Sequence, residues 1–363
     1  MELIMKFTRR NFLKNSALSS AALGAGGLGS LLGATASAMD LSSLNGKKFT
    51  AVSWGGAYQD AQRNAWFTPF EEAAGVELSE DTDPSNARII SMVKAGNVNW
   101  DVCDVGLEQA FSVGEQGYLE PLDYDVIDTT GFPEGFVTKY GIGNITWSTV
   151  LAYREDVITR EKPSSVADIW DTERFPGKRT LRDYPLDNLP WALMAVGLKK
   201  EEIYPLTEEK LAMAFAKMDE IKDEVVWWTG GAQPAQLLST NEVSLAQVWN
   251  GRIGNLIDEG IPVAIQWEGA QMQVDAWAIP KNAPNKEVAM AFIAWASQAE
   301  NNARIAAEIA YGPVNKNSIP MASDKYASLL PTTHFDKQLI CDFNYWGPNF
   351  TDVLERWQEW RMT

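Results

Sequence analysis

The 363-residue chain carries 48 acidic residues against 31 basic ones, with a single histidine and two cysteines. Its net charge of −17 repels nucleic-acid phosphates and anionic lipid and favours cationic solutes at long range. One histidine and two distant cysteines exclude a Cys/His zinc site, and any Ser-His-Asp or Cys-His nucleophile would have to use His334.

Export signals come first along the chain. Thr8-Arg9-Arg10-Asn11-Phe12-Leu13-Lys14 is a twin-arginine pattern. An Ala/Gly-rich apolar stretch from Ala17 to Leu32 follows, then Ala36-Ser37-Ala38 as a small-residue cleavage site. The apolar stretch is short and glycine-rich for a membrane span, which needs about 20 apolar residues. Residues 1–38 therefore read as a twin-arginine export signal, cleaved after Ala38, that sends the chain to the periplasm through the twin-arginine translocase. Without them the charge is near −20. The remaining length predicts two lobes rather than one core.

Alternating strand and helix patterns predict an α/β fold. Lys48–Trp54 reads as a buried first strand, and Gly55-Gly56 turns into a helix with Ala61, Ala65, Trp66 and Phe70 inward, ending near Gly75. Val76-Glu77-Leu78, a helix over 85–94 and the strand Trp100–Val105 complete a doubly wound βαβαβ lobe. The β-prone run Thr146–Tyr153 predicts a crossing into a second lobe. There Thr207 starts a helix bearing Leu211, Phe215, Met218 and Ile221, and Val243–Val248 and Val263–Gln266 form strands. Asp275–Pro280 predicts the return crossing, before helices over 288–299 and 349–361. The expected partition is 39–146 plus 280–363 for the first lobe and 147–279 for the second. Catalytic motifs are missing: no Gly-x-Ser-x-Gly elbow, no phosphate-cradling Gly-x-x-x-x-Gly-Lys loop and no cofactor motif occurs. The expectation is a non-enzyme without cofactor or metal.

Several segments, in order and spacing, resemble the spermidine/putrescine-type extracellular solute-binding proteins of ABC importers. They are Ser53-Trp54-Gly55-Gly56-Ala57-Tyr58, Gly96-Asn97-Val98-Asn99-Trp100-Asp101-Val102, Val248-Trp249-Asn250-Gly251-Arg252, Asp275–Asn285 and Tyr311-Gly312-Pro313-Val314-Asn315. The resemblance covers nearly the whole chain after the signal. It implies a type 2 periplasmic binding protein fold: two doubly wound lobes joined by β crossings, a ligand clamped in the interlobe cleft, and delivery to an inner-membrane permease. A polyamine such as putrescine or spermidine is the ligand that the resemblance implies, and the protein is expected to act as a monomer.

The residues supply suitable chemistry, because alkylamine recognition needs aromatic faces and a carboxylate per ammonium. Trp54 lies at the carboxyl end of the first strand, where doubly wound sheets place ligands, with Gly55, Gly56 and Tyr58 beside it. The resemblance puts an aromatic over the ligand at Trp249, an acid for its amine at Asp275 and a hydroxyl at Tyr311. Strand alternation sends only one of Trp227 and Trp228 inward; Trp228 is carried as the candidate, with the choice open. Asp183 stands near the second lobe's acids but equally suits a helix cap. Arg252 departs from the polyamine pattern. A guanidinium there repels a diamine but grips a carboxylate, so with Asp275 it would suit a zwitterionic ω-amino acid such as 4-aminobutyrate; outward placement, toward solvent or Asp258, is the alternative. Capture of an anion or ferric ion, and an exported cofactor enzyme, are the remaining rivals.

Overall fold

A computed structural model describes residues 40–133 and 135–363; the expected export signal over 1–38 lies outside the described residues. The strands are β1 (Lys48–Ser53), β2 (Glu77–Thr82), β3 (Val102–Gly106), β4 (Ile142–Arg154), β5 (Arg179–Arg182), β6 (Val225–Trp228), β7 (Leu245–Trp249), β8 (Val263–Ala278), β9 (Gly312–Pro313) and β10 (Leu339–Ile340). They join in one mixed sheet ordered β2-β1-β3-β8-β4-β7-β5-β6, with β9 on β4 and β10 on β8.

The two crossings are β4 and β8, paired antiparallel along most of their length. Their amino- and carboxyl-terminal parts face opposite lobes, so β3 meets the end of β8 while β7 meets the end of β4. The sequence suggested two separate strands over 263–266 and 275–280, yet β8 is one 16-residue strand. Gly269, at φ +82, occupies a position where a Cβ would meet Val166 at 2.7 Å. The ladder shifts register across it, from Leu151–Gln266 to Thr149–Gln271, so a glycine bulge carries the strand on rather than ending it.

Helices cover both faces. The predicted first helix runs as Gly56–Gln62, a wider π turn Arg63–Phe67, and Thr68–Ala74, stopped by left-handed Gly75. Its apolar face, with Trp66, Phe67 and Phe70, packs on Trp277 and Phe292 at ring separations of 5.2 to 6.1 Å. In the second lobe Thr207 caps Glu208–Asp219 by accepting from the Lys210 amide. The carboxyl-terminal helix Phe343–Met362 reaches both lobes: Gly347 lies against Phe111 of the helix Leu107–Glu115 in the first, while Trp346, Phe350, Val353 and Trp357 join Leu186, Trp191 and Leu211 in the second-lobe core. Its bulky apolar stripe matches the face of Pro185–Ala195. Cys103 and Cys341 are buried and unbonded to each other. No helix among the described residues is long and apolar enough to cross a membrane, and no group of three or more His, Cys, Asp and Glu among them could hold a metal ion.

Candidate functional site

Between the lobes lies a cleft of about 450 Å³, its open mouth included. Six aromatic side chains wall it: Trp54, Tyr58 and Tyr311 from the first lobe and the crossings, and Trp147, Tyr184 and Trp249 from β4 and the second lobe. Trp147 and Trp249 meet edge to face at 5.5 Å, and Tyr58 and Tyr311 at 5.1 Å. Such walls replace water around methylenes and present π faces to a cation. The Trp249 indole nitrogen is buried without a partner.

Asp275 sits where the crossing strands converge, opposite Gly106 of β3 and Ile145 of β4. Its Oδ1 accepts from Trp147 Nε1 at 2.7 Å; among the described residues its other oxygen has no hydrogen-bond donor. Burial, then the charge of Asp104, pushes its carboxyl well above the usual range. Asp104 lies behind it, accepting from Asn144 at 2.6 Å, Gln62 at 3.1 Å and Ser53 at 3.2 Å, and burial raises it too. The Tyr58 hydroxyl is near enough to Asp104 for that charge to raise it further, beyond the effect of burial, but forms no hydrogen bond of ordinary geometry. Two close, buried carboxyls favour shared protonation until a cation arrives.

Arg182, at the end of β5, provides the opposite charge. Its guanidinium stacks on Tyr184 at 4.1 Å and faces Trp249 at 5.2 Å. Nη1 reaches buried Asp187 at 3.3 Å, which also accepts from Thr149 at 2.8 Å and Gln273 at 2.5 Å. The remaining guanidinium N–H groups have no protein acceptor among the described residues. Glu108, in the first turn of the helix Leu107–Glu115, lines the same cleft, and burial raises it to about 7. The cleft therefore brings a guanidinium and a poorly paired carboxyl together in one lining with aromatic rings.

The candidates divide. Trp54, Tyr58, Trp249, Asp275 and Tyr311 line the cleft. Trp228 does not: it is buried, donates to the Gln247 carbonyl at 2.9 Å and supports Trp249 from behind at 5.4 Å. Trp227 points the other way, onto Trp357 and Trp360. Asp183 turns to the carboxyl-terminal helix, accepting from Trp357 Nε1 at 2.8 Å and Arg361 at 3.1 Å. Arg252 is buried rather than outward and is not among the residues lining the cleft, but it stands behind the wall, 5.8 Å from the Trp249 ring, with its Nε buried and without a partner. Its guanidinium crosses to the first lobe, donating to the Gly55 carbonyl at 3.2 Å and lying beside Gly56; Asp258 instead bonds Tyr326. Gly55 and Gly56 both have positive φ, +66° and +57°, so they shape that turn. Sequence reasoning missed Glu108, Trp147, Arg182, Tyr184 and Gln273. Arg182 and Asp187, five residues apart, were the available signal: an opposite-charge pair flanking a strand end and a helix start.

A family model described as bacterial extracellular solute-binding protein matches residues 65–332. The chain belongs to that family. It is 34% identical over 320 residues, 86% of this chain and 91% of the other, to the gamma-aminobutyric acid-binding protein of Pseudomonas aeruginosa. It is 25% identical over 225 residues, 61% of this chain and 62% of the other, to the spermidine/putrescine-binding periplasmic protein of Escherichia coli. The solved structure of the Atu4243–GABA receptor superposes with a TM-score of 0.79 at 37% identity, covering 87% of this chain and 98% of that one. The fold is that of type 2 periplasmic binding proteins, and the protein is the periplasmic solute-binding component of an ABC importer.

Proposed function

We propose that this protein captures a small zwitterionic ω-amino acid, with 4-aminobutyrate as the reference compound, for its importer. The observation that carries this reading is that one aromatic-walled cleft is lined both by Arg182, most of whose N–H groups have no protein acceptor among the described residues, and by the half-paired carboxyl of Asp275. The ligand carboxylate takes the guanidinium and its ammonium takes Asp275, while the rings cover the methylenes. In this reading Arg182 takes the carboxylate-gripping role that the sequence offered for Arg252. The 34%-identical gamma-aminobutyric acid-binding relative supports it. Ligand bridging both lobes favours the closed state that the permease recognises.

A polyamine is the second reading, favoured by one feature: Asp104, Glu108 and Asp275 outnumber the single guanidinium at the cleft. Calorimetric titration of residues 39–363 decides between them. We expect 4-aminobutyrate to bind and Arg182→Ala to weaken it by about a hundredfold, the cost of losing a charged, largely desolvated partner. Binding of putrescine or spermidine alone, tightened by Arg182→Ala, would overturn the zwitterion reading.

A further inference from the structure

Three acids meet on one face of the sheet where β8 reaches the first lobe. Gly106 of β3 pairs directly with Asp275 of β8, and Asp104 shares the face of Gly106 by strand alternation. Gly106 has no side chain, but its place is filled. A Cβ there would collide with both carboxyl oxygens of Glu108, Oε2 at 2.7 Å. The Glu108 carboxyl thus stands where a side chain at 106 would begin, and directly opposed Cβ positions of an antiparallel pair lie about 5 Å apart. Glu108 is brought over from the first turn of its helix to face Asp275. The charges acting on Asp275 agree, those of Asp104 and Glu108 coming ahead of that of Arg182.

The three acids differ in how they are satisfied. Asp104 accepts from Ser53, Gln62 and Asn144, and Asp275 has one donor, Trp147. Glu108 is 6% exposed and accepts from no other side chain among the described residues. The charge of Arg182 acts on it, but the ion pair of Arg182 is with Asp187. The open acceptor positions of the cluster therefore belong to Glu108 and Asp275, and both residues line the cleft. Two buried like charges are costly together, and a cation between them offsets that cost. The acceptors also decide which cation. Aromatic walls alone suit a quaternary ammonium. Carboxyl oxygens short of donors need N–H groups, which methylation removes.

Resting on the part of the reading above that gives the ligand ammonium to Asp275, we propose that Glu108 is the second acid of that ammonium site. Together the two acids select a primary ammonium over its N-methylated forms. Separate N–H groups of one ammonium reach the two carboxyls, and the missing side chain of Gly106 is what admits Glu108 to this position.

Calorimetry on the chain from residue 39 tests this with 4-aminobutanoate and 4-(trimethylammonio)butanoate. Both are zwitterions of the same chain length, and they differ in N–H groups. We expect the primary amine to bind on the order of tenfold tighter or more, the range of one or two charge-assisted hydrogen bonds. Glu108→Gln should weaken 4-aminobutanoate about tenfold and the trimethyl compound far less, so that the preference shrinks. A wild type that binds both equally overturns the proposal without any variant. So does a preference unchanged in Glu108→Gln, whether both affinities fall together or neither moves. In those cases 4-aminobutanoate still binds, and the zwitterion reading stands. If putrescine binds and 4-aminobutanoate does not, the zwitterion reading falls by itself. Putrescine against its mono-N-trimethyl form, in wild type and Glu108→Gln, then decides this inference by the same two criteria.

Discussion

Arg252 and Gly55 join the two lobes directly: the guanidinium of a second-lobe helix donates to the carbonyl of the first-lobe turn at 3.2 Å. The contact lies outside the ligand cleft and exists only while the lobes are together. Arg252→Ala should therefore speed ligand dissociation about tenfold, the loss expected for a charged hydrogen bond. Association rates and the ranking of ligands should hardly change. Stopped-flow tryptophan fluorescence reads both rates; an altered ranking with normal dissociation would place Arg252 at the ligand instead.

Asp275 should show opposed effects on binding and stability. Its ionised form is disfavoured by burial and by Asp104, while an amide could still accept from Trp147. Asp275→Asn should raise the unliganded Tm by roughly 2–4 °C, about 1 kcal/mol in a chain of this size. The same variant should lose the ligand-induced shift. Differential scanning calorimetry with and without 4-aminobutyrate checks both halves.

Asp187 holds Arg182 from beneath. It is wholly buried and accepts from Thr149, Gln273 and Arg182. Asp187→Ala leaves the Thr149 and Gln273 donors and the half-buried Arg182 guanidinium without their acceptor, which should cost about 3–5 kcal/mol. Urea denaturation measures that loss, and Asp187→Asn, which keeps an acceptor, should recover part of it. A neutral outcome for Asp187→Ala would mean that water replaces the carboxylate freely.

Stability of the unliganded protein should fall as pH rises from about 4.5 to 7. Burial raises Asp104, Glu108, Asp187 and Asp275, Glu108 from 4.5 to about 7. Acids raised on folding bind protons more tightly in the folded state. Their stabilisation is complete below the unfolded value and disappears as pH passes the folded one; for Glu108 that is on the order of 3 kcal/mol. His334 works the other way, because burial lowers it, but it is one group against four. A cationic ligand favours the ionised acids, so the ligand-induced Tm shift should grow over the same range. Thermal scans at pH 5, 6 and 7.5 follow both trends; an unliganded Tm rising from pH 5 to 7.5 would contradict the assignment.

Sequence period and punctuation made the architecture readable. The glycine after the first strand, Gly75, the Thr207 cap and the β-prone crossings all act within a few residues. Cleft residues at strand ends, Trp54, Trp249 and Asp275, were readable because a sheet's topology fixes where strand ends lie. Arg182 and Arg252 were not. Each is a basic residue near a strand end, and what separates them is which distant surface they meet: Tyr184 and the cleft for one, Gly55 for the other. Glu108 looked like any first-turn acid until Gly106 showed where its carboxyl goes. The carboxyl-terminal helix was assigned to one lobe yet packs on both, since an apolar stripe does not name its partner.

The crossings carry one more consequence. Strands β4 and β8 run through both lobes as paired, almost wholly buried ladders, so no loop stands between the lobes at these two connections. Opening must then be taken up as a small change of twist spread along the two strands, like a torsion bar rather than a door hinge. A protease offered the open form would find no exposed joint there to cut, and the two halves would stay attached through every cycle of capture and release.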